Sequence, residues 1–398
     1  MKRKISLLMA VIIVLGTFIN PAAAAENAVP VSAEATEESK VLKLSMEDAV
    51  KLAIENDRAM WKLDDGIKQL QDARRAGSSA KEQAEIIMNM SLEEMALIGV
   101  DPTNNYVDTL IAKNGYYVKK ADLKGEEMKK QREVLLLGIE LGTKASYYGV
   151  LVKEKAIEIN EARLSSANEQ LRVVNLKFGN GSATKAEVLN GEMAVQKAKT
   201  DLDTAMDDLN IAKLNFLNQL NLPLDAEIVL TDKEIKYVPT SNIDLDKAIE
   251  KAKAERPEIQ TAINDLEIQK IETHAYTAYY TSNLRQNKWA KEKLKDAELK
   301  VPQTYKDVEL DVRSSYLDLI KNERNLVNMN KTVELAKEGA RIKKLLYENG
   351  MATSLDVLDA DTGLAEAEIG LYQIMALYNI SKLSFDNSNL IGSMKAEQ

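Results

Sequence analysis

Carboxylates are the main chemical resource of this chain. Asp356, Asp359 and Asp361 gather just after a tight turn, at the start of a helical pattern. Residues three apart share one face of a helix. Two readings stay open: the acids stabilise the start of their own helix through its dipole, or, with copies set around an axis, they form a negatively charged ring that attracts cations. Other chemistry is sparse. His274 is the single histidine and there is no cysteine, so a His/Cys metal centre or a Ser/His/Asp nucleophile lacks its ordinary parts. His274 reads as a polar surface residue. Gly179-Asn180-Gly181 superficially suggests a phosphate loop, but it is too short for that spacing, follows a helix, and recurs as Glu348-Asn349-Gly350. A helix-ending turn explains it better. Neither enzymatic activity nor a cofactor is expected.

The elements that must position these acids come as a duplication. Phe178-Gly179-Asn180-Gly181-Ser182-Ala183-Thr184-Lys185-Ala186-Glu187-Val188-Leu189 returns 169 residues later as Tyr347-Glu348-Asn349-Gly350-Met351-Ala352-Thr353-Ser354-Leu355-Asp356-Val357-Leu358. Ala212-Lys213-Leu214-Asn215-Phe216-Leu217-Asn218 matches Ser381-Lys382-Leu383-Ser384-Phe385-Asp386-Asn387 at the same offset. The segments that open the halves, from Leu44 and from Ile243, match at an offset of 199. The first half therefore holds a surplus of about 30 residues, which must fall between Arg75 and Leu136.

Composition favours long helices: 29% of residues are charged, 5% are aromatic and seven are proline. Residues 1–25 resemble a secretory signal, with Lys2-Arg3-Lys4, an apolar run and Ala23-Ala24-Ala25 before Glu26. The competing reading is a retained anchor, but the run is short for one and ends at Asn20-Pro21. Cleavage would export the chain and move its net charge from −9 to −12, which disfavours nucleic acid as a partner. The expected organisation is a signal (1–25), a flexible acidic leader (26–43), a first repeat (44–224), a linker (225–242), a second repeat (243–392) and a tail (393–398). Ser45 is placed to cap the first helix, with Asp48 in the capping-box position.

No proline occurs between Pro102 and Pro223 or after Pro302. In the later stretch Tyr305, Val312, Leu319, Leu326, Val333, Ala340 and Tyr347 stand seven apart, and Leu136, Thr143, Val150, Ile157, Leu164, Leu171 and Phe178 answer them in the first half. Such a repeat predicts coiled-coil packing of long helices. Return helices follow each Asn-Gly turn. The surplus, around Asp101-Pro102-Thr103-Asn104-Asn105, is expected to be a small helical hairpin, and Glu227-Ile228-Val229-Leu230 to be extended. The fold class is all-α: two tandem long coiled-coil hairpins.

These residues resemble the TolC-like outer-membrane efflux protein family. Both halves carry its opening pattern, at 44–58 and at 243–259 with Arg256-Pro257-Glu258, and its turn pattern of aromatic, Gly, small-Thr, then acidic-Val-Leu. The resemblance implies a homo-trimeric helical barrel that works with a periplasmic-adaptor-type membrane fusion protein and, indirectly, an inner-membrane transporter. It also implies that the turns at Gly181 and Gly350, with Thr184 and Thr353, form the constricted, adaptor-contacting end. Asp356 and Asp359 would then be the acidic aperture, Glu187 their counterpart, and Tyr347 the gate tyrosine. Ala352 stands where the family has a gate arginine. The family's membrane strands would fall at 83–128 and 276–305, yet Thr281-Ser282-Asn283-Leu284-Arg285-Gln286-Asn287-Lys288-Trp289-Ala290-Lys291-Glu292-Lys293-Leu294 is charged and helical in pattern. The expectation is a family member of the cell envelope with the helical body kept and the β-barrel lost. The alternative is a non-conducting structural or interaction protein of the envelope.

Overall fold

Both long helices of the duplication have the same length. The computed structural model describes residues 41–98, 106–240 and 243–392. The signal segment, most of the leader, the Asp101-Pro102 turn and the tail fall outside the described residues. Helices α5 (Tyr116–Gly179) and α9 (Arg285–Glu348) each run 64 residues, about 96 Å at 1.5 Å per residue. Each turns back into a shorter partner, α6 (Lys185–Gln219) and α10 (Ser354–Asp386). The four helices lie side by side in the order α6, α5, α10, α9, so α5 and α10 join the two repeats.

The return helices cover only the half of each long helix nearest the turn. The rest is covered by a second layer: α1 (Met46–Glu55) and α2 (Arg58–Met88) on α5, α7 (Leu245–Glu255) and α8 (Pro257–Tyr279) on α9. The surplus of the first half is now accounted for. Helix α2 has 31 residues where α8 has 23, and residues 89–115 connect α2 to α5 where only 280–284 connect α8 to α9. The longer connection holds α3 (Leu92–Leu97) and α4 (Tyr106–Lys113), two short helices flanking the expected turn.

Helices make up 83% of the described residues. The strands among them are β1 (Leu42–Leu44) and β2 (Ile228–Leu230), paired in parallel. Strand β1 includes Leu42 and Lys43 of the segment read as a flexible leader, and Leu44 is buried with Ile228 and Leu230 against Val150 and Leu220. The windows 83–128 and 276–305, where membrane strands would fall, hold no strand among the described residues and are helical apart from the short breaks at 89–91, 98, 114–115 and 280–284. Ser45 caps α1 as expected: its hydroxyl accepts from the Asp48 amide at 3.1 Å.

The core repeats with the sequence. Tyr147 meets Phe216 edge-on at 6.0 Å, and 169 residues later Tyr316 meets Phe385 at 5.9 Å. The Tyr147 hydroxyl donates to the Leu44 carbonyl and accepts from the Asp232 amide, each at 3.1 Å, so α5 holds the short sheet. Tyr378 on α10 holds the linker in the same way, donating to the Val238 carbonyl at 2.8 Å. The seven-residue seam is buried at Thr143, Val150, Val312, Leu319, Leu326 and Ala340, but on α5 it gives way toward the turn to Asn160, Ala167 and Val174. An α-helix of 3.6 residues per turn drifts against a repeat of 3.5, and α5 must also serve two neighbours. Helix α9 also runs through Pro302, whose ring is exposed, instead of starting after it.

Candidate functional site at the turn end

Each hairpin turn is closed by a left-handed glycine and reopened by a threonine cap. Gly181 and Gly350 have φ of 73° and 71°. The Ser182 amide reaches the Lys177 carbonyl and the Met351 amide the Leu346 carbonyl, both at 2.8 Å, which satisfies the last carbonyls of α5 and α9. Asn180 and Asn349 do not share the left-handed conformation; both have φ of −91°. Asn349 instead donates its side-chain amide to the Leu345 carbonyl at 2.8 Å.

Thr184 and Thr353 cap the return helices in reciprocal capping boxes. Glu187 accepts from the Thr184 amide at 2.6 Å and its hydroxyl at 3.0 Å. Asp356 accepts from the Thr353 hydroxyl at 2.6 Å and amide at 2.9 Å, and from the Lys343 ammonium at 3.1 Å. These donors favour the ionised forms. The Thr353 hydroxyl and amide, then Lys343, hold the Asp356 carboxyl well below the usual range, and the Thr184 amide and hydroxyl lower that of Glu187.

The acids therefore separate into different roles. Asp356 and Glu187 serve their own helix starts. Asp359 is exposed and makes no hydrogen bond or ion pair among the described residues. Asp361 faces the neighbouring repeat, accepting from Ser166 at 3.0 Å and Gln170 at 3.2 Å on α5. Within one chain no hydrogen bond joins Glu187 to Asp356 or Asp359 among the described residues. Tyr347 is half-buried, and the Lys177 ammonium sits 4.0 Å from its ring centroid. Ala352 leaves no charge at its position, so a cation from the other hairpin is the one that meets Tyr347.

Three side chains at this end carry no signal in the periodicity. Lys177 and Lys343 face their partners across a helix pair. Arg163, 8% exposed, binds Asp201 of α6 at 2.5 Å and Thr362 of α10 at 2.8 Å, so one guanidinium on α5 ties three helices. Among the described residues no group of three or more His, Cys, Asp or Glu is arranged to hold a metal ion.

No family model matches the sequence, and no curated protein matches it. Solved structures do match by fold. The outer membrane protein VceC of Vibrio cholerae aligns over 87% of this chain and 96% of its own, with a TM-score of 0.65 at 13% identity. CusC, described with transmembrane channel formation, aligns over 93% and 99% with a TM-score of 0.66 at 12% identity. The Campylobacter jejuni outer membrane channel CmeC aligns over 95% of each chain, with a TM-score of 0.61 at 12% identity. The fold is that of TolC-like outer-membrane channels, in its helical body, with almost no strand among the described residues.

Proposed function

We propose that this chain is a non-enzymatic, exported component of a cell-envelope efflux system, forming a helical duct from several copies, by analogy a trimer, with its turn end toward an adaptor protein. The observation that carries the reading is the state of the two outer helices. On α6, Leu189, Met193, Ile211 and Leu214 are exposed; on α9, Leu310, Leu317, Leu335 and Ile342 are exposed. At about 100° per residue each stripe lies opposite the helix's own buried face, which on α6 runs through Ala194, Ala198 and Leu202 and on α9 through Val312, Leu319 and Leu326. A single-layer wall of helices needs a neighbour on both sides of every helix. Here both edges present apolar surface with no neighbour among the described residues of the same chain, which favours closure by further copies. In that assembly Asp359, with Asp356 beside it, would face the axis near the turns, and Lys177 over Tyr347 would hold the two tips of a chain together.

The helical state of both barrel windows favours a second reading, a structural envelope protein of the same assembly that conducts nothing. Dye efflux from producing cells separates the two. Deleting the gene should raise dye accumulation, and only a chain with intact Gly181, Thr184, Gly350 and Thr353 should restore efflux. Unchanged accumulation together with an altered envelope would support the structural role.

A further inference from the structure

The end opposite the turns carries a patch that the duct reading does not use. Helix α9 opens there with Arg285, Lys288, Lys291 and Lys293, all exposed and in no ion pair among the described residues. Residues 281–295 hold five basic side chains and one acid, Glu292, in a chain of net charge −9. Apolar groups stand among these cations. Leu284 is 42% exposed and Trp289 is 44% exposed, and the indole is braced edge-on against Tyr276 at 5.8 Å, which leaves its outer surface free. At the same end Leu92 and Leu97 of α3 are 71% and 87% exposed.

We infer that this end is a docking surface for an anionic lipid bilayer, bound from one side. Unpaired cations around a half-exposed tryptophan and leucine combine electrostatic attraction to acidic headgroups with apolar contact at the level below them. A soluble polyanion would need only the cations; the interleaved Leu284 and Trp289 are what select a lipid surface. Contact is restricted to the surface, because no helix among the described residues is long and apolar enough to cross a membrane and the described strands are three residues long. The inference holds whether or not the assembly conducts.

The test uses the chain from Glu26 onward, with Trp61→Phe so that Trp289 is the remaining tryptophan of two. The protein should sediment with phosphatidylglycerol-containing vesicles and not with phosphatidylcholine alone, and Trp289 emission should shift to the blue and be quenched by brominated acyl chains. The triple variant Arg285→Gln, Lys288→Gln, Lys291→Gln should bind on the order of 100-fold more weakly, at roughly fivefold per cation lost. The triple Glu variant should bind more weakly still, both with unchanged circular dichroism. Equal binding to both vesicle types, or binding indifferent to charge reversal, would overturn the inference. So would binding of polyphosphate together with an unquenched Trp289 on vesicles, which would mark a polyanion site.

Discussion

Lys177 and Tyr347 belong to different repeats, yet the ammonium of one lies 4.0 Å from the ring centroid of the other. Both residues sit in the last turn of a 64-residue helix, and α5 and α9 are otherwise bridged by α10, which packs on both. Tyr347→Leu keeps apolar bulk and removes the ring face. At this half-buried site the loss should be about 0.5–1 kcal/mol or somewhat more. Amide hydrogen exchange over 177–184 and 346–353 should quicken, and exchange that matches the wild type would show the contact to be incidental.

The lowered Asp356 carboxyl makes an acid-sensitive contribution. Its folded-state pKa lies below its unfolded value, so the stabilisation is complete above the ordinary Asp range, about pH 4, and is lost as pH falls through the folded value. Glu187 acts in the same direction. Denaturant midpoints of wild type and Asp356→Asn should differ at pH 7 and converge on acidification. A difference that grew at low pH would contradict this account.

Glycine substitutions should split by backbone conformation. A methyl group at Gly181, Gly350 or Gly363 meets nothing within 4 Å, so sterics do not distinguish them. Gly181→Ala and Gly350→Ala force alanine into left-handed backbone and should each cost about 1–2 kcal/mol. Gly363→Ala, inside α10, should instead stabilise by up to about 1 kcal/mol. Thermal melts suffice to rank the three.

Arg256 is the buried cation of the second repeat. Its side chain is 2% exposed and binds the Ser388 carbonyl at 2.6 Å, Glu258 at 3.2 Å, and Asp311. Arg256→Met should cost about 3–5 kcal/mol, because the Asp311 carboxylate and the Ser388 carbonyl each lose a donor at a buried cation. Adding Asp311→Leu should recover part of that loss. A double variant as weak as the sum of the singles would show that the two residues act independently.

Assembly should respond to the edge stripe and not to the inner seam. Leu310→Asp with Leu317→Asp should lower the sedimenting mass while helix content is kept. Leu319 is fully buried in its own chain, so Leu319→Asp should unfold the protein before it dissociates anything. A wild-type chain that stays monomeric at micromolar concentration would remove the ring from consideration.

The long helices, the Ser45 cap and both turns were legible because each depends on residues close in sequence. The 169-residue offset even locates the Tyr147–Phe216 and Tyr316–Phe385 pairs, once one pair is known. Arg163 was not legible: its partners lie 38 and 199 residues away, and which side chains meet across two helices depends on their axial stagger. Three-residue strands such as β1 and β2 are too short for alternation to register. The drift of the α5 seam needed the knowledge that α5 has neighbours on two sides. For the acids, sequence gave position only; the donors that separate Asp356 from Asp359 are backbone and cross-helix groups.

The unequal connections, residues 89–115 in one half and 280–284 in the other, have a consequence for symmetry. The turn ends of the two repeats are near copies, so a closed ring of n chains shows 2n nearly equivalent seats there. At the far end α3 and α4 occur once per chain, and the same ring shows only n. In such a ring a partner docking at the turns would find two registers per chain, whereas the opposite rim would offer one.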